Sequence, residues 1–93
     1  MLFLMSALAY AKRGLIGVLT PQANTTVEPE FSILRPAGVT MLNARLTSSK
    51  KTIEERLVDY THKIENTLDE FANAPIQAVA FGCTGASYLI GQK

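Results

Sequence analysis

The chain has 93 residues, 47% of them apolar and 18% charged, and a formal net charge of +1. These values exclude a disordered or low-complexity chain and limit it to one modest domain, burying a little over ~60% of its extended surface. So small a net charge gives no field for nucleic acid, and the basic doublets Lys12-Arg13 and Lys50-Lys51 carry no interleaved aromatics.

A single cysteine, Cys83, and a single histidine, His62, exclude an internal disulfide and a cysteine-rich zinc site. No metal is expected, and the cysteine usage fits a reducing, cytoplasmic setting. The apolar start, residues 1–10, is too short to span a bilayer, so no membrane partner is expected. It lacks the basic segment of a signal peptide, although Ala7-Leu8-Ala9 is close to a cleavage pattern. Residues 1–13 read as an extension in front of the fold, with Met5 an alternative start.

Residues 14–19, Gly-Leu-Ile-Gly-Val-Leu, form a continuous apolar run, as expected of a strand buried on both faces. Thr20-Pro21 ends it, and a polar loop follows through Asn24, Thr25 and Thr26. Thr25 with Glu28 three residues on predicts a capping box, Pro29 is tolerated in a first turn, and Glu28 and Glu30 suit the helix dipole. Pro36 and Gly38 stop that helix after Leu34. Residues 39–46 are the second strand. Ile53, Leu57, Tyr60, Ile64, Leu68 and Phe71 then recur at helical spacing and predict one long amphipathic helix. Thr52 and Glu55 give it a second capping box, and Asn73-Ala74-Pro75 closes it. Residues 76–81 are the third strand, ending in Gly82-Cys83-Thr84-Gly85-Ala86-Ser87.

The order β-α-β-α-β requires parallel strands and predicts an α/β fold in three layers, a flavodoxin-like sheet with strand order 2-1-3. In such sheets ligands bind beyond the carboxyl ends of the strands, at the switch point, here between strands one and three. The asparagine loop and the cysteine loop leave those two ends and should converge. Around that convergence stand Asn24, Thr25, Thr26, Cys83, Thr84, Ser87 and Arg45. Neither a dinucleotide nor a nucleotide-phosphate glycine motif is present. A thiol beside neutral hydrogen-bond donors suits a small carboxylate better than a phosphate. The amides of the Gly82–Ser87 loop and a helix starting just after it would favour a thiolate at Cys83. Plainer roles remain open at each position. Cys83 can be a buried structural residue, Asn24 and Thr25 helix caps, Thr84 and Ser87 the start of the next helix, and Arg45 a solvated strand end. His62 falls between stripe positions and reads as a surface residue, and Tyr88 reads as packing.

Gly14-Leu15-Ile16-Gly17-Val18-Leu19-Thr20-Pro21, then Asn24-Thr25-Thr26 with Glu28 and Glu30, resembles the opening of the maleate cis-trans isomerases and their arylmalonate decarboxylase relatives, in the aspartate/glutamate racemase superfamily. Phe81-Gly82-Cys83-Thr84-Gly85-Ala86-Ser87 resembles the first cysteine loop of that family. Gln22-Ala23 departs from the Ser-Ser common before the asparagine, and Gly85-Ala86 from Ser-Gly. The resemblance implies a two-lobed α/β fold with one cysteine from each lobe, no metal or organic cofactor, and a small carboxylic acid as substrate. It implies that Cys83 is the first-lobe catalytic cysteine and that Asn24 holds a substrate carboxylate. Thr25, Thr84 and Arg45 are further candidates for contact with that substrate. Cys83 stands where typical arylmalonate decarboxylases have glycine, which favours maleate-type isomerisation or racemisation. On this reading residues 14–93 are a partial first lobe, the chain is an N-terminal fragment without the second lobe, and it turns over little substrate alone. The alternative is a non-catalytic truncated α/β domain that binds carboxylates weakly or self-associates through an exposed edge of strand three.

Overall fold

The structure, a computed structural model, describes residues 10–83. The Thr84 and Ser87 candidates, Tyr88, the helix expected after Cys83 and most of the N-terminal extension lie outside the described residues. Within them the chain is α/β, with one parallel three-stranded sheet in the order 2-1-3. The elements are β1 (Gly14–Pro21), α1 (Val27–Leu34), β2 (Val39–Leu46), α2 (Ile53–His62), α3 (Ile64–Leu68), a 3-10 turn (Asp69–Phe71) and β3 (Ala78–Phe81). Among the described residues no helix is long and apolar enough to cross a membrane.

β1 is central. It pairs with β2 from Gly14 opposite Val39 to Pro21 opposite Leu46, and with β3 from Ile16 opposite Ala78 to Leu19 opposite Phe81. Alternate side chains of a strand face opposite sides. Leu19 of β1, with Ala44 and Leu46 of β2, meets Tyr60 and Phe71 in the buried core, flanked by Leu57, Ile64, Leu68, Ile76 and Phe81. The other face turns Val18, Thr20, Asn43 and Arg45 toward α1. That helix buries none of its own residues, and Ile33 and Leu34 are 78% and 79% exposed.

β1 runs two residues further than its apolar pattern. Thr20, fully buried, stays in the ladder because its hydroxyl accepts a hydrogen bond from Asn43 Nδ2 across the strand pair. β3 starts two residues later than expected. At that point Gln77 Oε1 accepts from the Leu15 amide at 3.1 Å, so a side chain supplies the acceptor that a longer strand would take from its backbone.

The long stripe folds as two helices and a 3-10 turn rather than one helix. At Lys63 (φ −97, ψ 1) the backbone N–H is shared between the carbonyls of Asp59 and Tyr60, both at 3.1 Å, which tightens the chain and breaks the α pattern. The stripe still faces one way: Leu57, Tyr60, Ile64, Leu68 and Phe71 all reach the core, while Ile53 stays largely exposed. The Thr52 cap forms, its hydroxyl accepting from the Glu55 amide at 3.2 Å and donating to Glu55 Oε1 at 2.8 Å.

α1 stops where Pro36 forces Arg35 into an extended conformation (ψ 141). The turn into β2 then needs Gly38, whose φ is +85; a Cβ there would lie 2.9 Å from the Arg13 side chain.

Candidate functional site

The carboxyl ends of β1 and β3 carry the two loops singled out by the sequence. Because the strands are adjacent and parallel, with Leu19 opposite Phe81, both loops leave the same edge of the sheet. Two contacts tie the start of the cysteine loop to the strand and the helix that flank the asparagine loop. The Gly82 amide donates to the Leu19 carbonyl at 2.8 Å, and the Gly82 Cα sits so close to Val27 that an added Cβ would approach its side chain to 3.3 Å. Cys83 follows directly and is buried, with 8% of its surface exposed.

The asparagine loop is a tight turn. The Asn24 amide donates to the Pro21 carbonyl at 3.0 Å, and Asn24 Oδ1 accepts from the amides of Thr26 and Val27, both at 2.9 Å. Asn24 therefore fills the position at the head of α1 that the sequence assigned to Thr25, and the Thr25–Glu28 capping box does not form. The reason is competition. Asn24 Oδ1 takes the Thr26 and Val27 amides at the head of the helix, and the Glu28 carboxylate, which the box would turn back to the Thr25 amide, goes instead to the full charge of Arg45 on β2. With its oxygen committed to two backbone donors, the Asn24 side chain has its Nδ2 group left to offer. That NH2 group has no hydrogen-bond partner among the described residues. Thr25 is exposed on the same loop.

Arg45, opposite Thr20 in β2, is bound to the loop itself. Its Nη1 donates to the carbonyls of Asn24 at 2.6 Å and Pro21 at 3.1 Å, and its Nη2 pairs with Glu28. In this arrangement its donors serve the loop and the first turn of α1. A polar row, Thr20–Asn43 then Arg45–Glu28, thus lies along the α1 face of the sheet. Sequence reasoning passed over Asn43 and the Arg45–Glu28 pair, although the alternation of Asn43 and Arg45 in an otherwise apolar strand was a legible sign of one polar face.

A second feature went unnoticed in the sequence. Between the asparagine loop and α2 lies a cleft of about 380 Å³, lined by Pro21, Gln22, Ala23, Asn24, Ile53, Arg56, Leu57 and Tyr60. Gln22 Oε1 accepts from the Ser48 amide at 2.6 Å and so ties the β1 loop to the β2–α2 connection. Nearby, Asp59 lies below its usual carboxylate range, chiefly because the Ser48 hydroxyl donates to it at 2.5 Å, with Lys63 at 3.3 Å adding to the effect.

Comparison with protein-family models, with curated proteins and with solved structures gives no match for this chain.

Proposed function

We propose that this chain carries the Cys83 side of the site of a cofactor-independent, cysteine-based isomerase or racemase acting on a small carboxylic acid, with maleate-type cis-trans isomerisation as the favoured reaction. The observation that supports this reading most is the shared edge. Asn24, whose Nδ2 donor is left over by the turn, and Cys83, whose loop packs on Val27, stand just beyond the carboxyl ends of the adjacent parallel strands β1 and β3, at the switch point. The motif resemblance supplies the reaction class.

In the isomerisation, the Cys83 thiolate adds to one alkene carbon of maleate. The S–C bond forms as the π pair shifts to the carbon next to the far carboxylate. The remaining C–C single bond rotates. Return of the electron pair then expels the thiolate and gives fumarate, with no net exchange of protons or electrons. Asn24 Nδ2, donating to a carboxylate oxygen, holds the substrate and stabilises the charge that develops on it. In a racemase the same thiol would instead move a proton at the carbon next to the carboxylate.

The test is alkylation of the 93-residue protein by iodoacetamide, followed by mass spectrometry of the Cys83 peptide. Maleate at millimolar concentration is expected to slow modification several-fold and to leave a thioether-linked succinyl adduct on a fraction of Cys83. An unchanged alkylation rate and no adduct at saturating maleate would remove the basis for this reading.

A further inference from the structure

The cleft beside α2 has a polar lining in which hydrogen-bond acceptors are used and donors are left over. The side-chain oxygens of Gln22 and Asn24 are both committed, to the Ser48 amide and to the Thr26 and Val27 amides. Each amide therefore turns its NH2 group to other partners. Tyr60 is buried, its hydroxyl makes no hydrogen bond among the described residues, and no sealed side-chain polar atom there lacks a partner. The hydroxyl therefore touches the cleft rather than the core.

Arg56 decides the charge. Its Nη1 donates to the carbonyls of Lys50 and Lys51 at 3.2 and 3.1 Å, which fixes the guanidinium over the cleft. Among the described residues its remaining N–H groups have no hydrogen-bond partner and it makes no ion pair. Of the other positive groups near the carboxyl ends of β1 and β2, Arg45 is held by Glu28 and Lys63 by Asp59 and the Thr47 carbonyl, while Lys50 and Lys51 are not among the residues that line the cleft. Of the neighbouring acids, Glu55 is engaged with Thr52 and Asp59 with Ser48 and Lys63, and Glu54 is exposed and does not line the cleft. Apolar surface from Ala23, Ile53 and Leu57 completes the walls. A pocket with one unpaired guanidinium, neutral amide and phenol donors, no carboxylate in its lining and an apolar wall fits an anion with a hydrocarbon body.

We infer that this cleft is a binding site for a small carboxylate with a short apolar body, with Arg56 as its charge partner. Cys83 is not among its lining residues, so the site stands whether or not the thiol reacts. Asn24 is the residue common to the cleft and the candidate centre.

The experiment is a backbone and side-chain NMR titration of the 93-residue protein with succinate, with butyrate and with inorganic phosphate. Both carboxylates are expected to shift the Gln22 and Asn24 side-chain amides, the Arg56 guanidinium signals and the Tyr60 ring, and phosphate to shift them less. Arg56→Gln should weaken succinate binding by about tenfold or more, Arg56→Lys by less, and Cys83→Ser not at all. Shifts confined to residues around Cys83, loss of binding in Cys83→Ser, or phosphate binding as tight as that of the carboxylates would overturn the assignment. The mapping on the unmodified protein decides the matter even if Arg56→Gln fails to fold.

Discussion

Asn24 divides its side chain between holding the loop and meeting a ligand, and the two uses can be separated. The oxygen anchors the Thr26 and Val27 amides at the head of α1. Replacing it with alanine leaves those donors without their acceptor, and Asn24→Ala is expected to cost about 1 kcal/mol in a urea unfolding curve. Asn24→Asp keeps an acceptor, now favoured further by the helix dipole, and should stay within a few tenths of a kcal/mol of the parent. It removes the NH2 donor and places a negative charge where a carboxylate would sit. Maleate protection of Cys83 should therefore disappear in the aspartate variant although the fold is intact. Retained protection in Asn24→Asp would show that the asparagine serves the turn alone.

At the scale of elements, apolar runs located the three strands, and cap signals and helical spacing located the helical regions, because a strand buried on both faces reads as a continuous run and a helix buried on one face imposes period 3.6. β2 spans residues 39–46 as expected. The boundaries that moved did so for reasons invisible to a hydrophobic pattern. Thr20 stays in β1 through a side-chain partner on another strand, β3 shortens because Gln77 lends its amide oxygen to Leu15, and α2 breaks at a shared hydrogen bond. The site was legible as a convergence of loops, since topology alone brings the ends of β1 and β3 together. Which groups pair within it was not, because Arg45 meets Glu28 and Gln22 meets Ser48 only after long-range packing.

The connection from β2 into α2 carries its own measurable signature. Asp59 binds the Ser48 hydroxyl on that connection, and Lys63 reaches both Asp59 and the Thr47 carbonyl. A carboxyl held below its ordinary value near 3.8 stabilises the fold fully above that value and loses its contribution as pH falls below it. Acidification from pH 5 to pH 2 should therefore lower the urea midpoint more in the parent than in Asp59→Asn. Parallel acid limbs in the two proteins would show that this carboxylate does not couple protonation to folding.

For the molecule as a whole, stability is unevenly spread. β1 is paired on both sides and contributes Leu15, Val18, Leu19 and Thr20 to the interior. β3 has a partner on one side only among the described residues, and Ala78, Val79 and Ala80 are exposed. Amide exchange should rank accordingly, with Val18 to Thr20 exchanging only through global opening and the amides of Ala78 and Ala80 far faster. Equal protection along β1 and β3 would mean that the outer edge of β3 is covered in solution. The single Arg45 guanidinium has a further consequence for any ligand that arrives. By spanning β2, the Pro21–Asn24 turn and the first turn of α1, it makes the ordering of the loop part of folding. A carboxylate reaching Asn24 then meets a segment with little conformational entropy left to surrender, so its affinity is set by the contacts it makes rather than by the freezing of the loop around it.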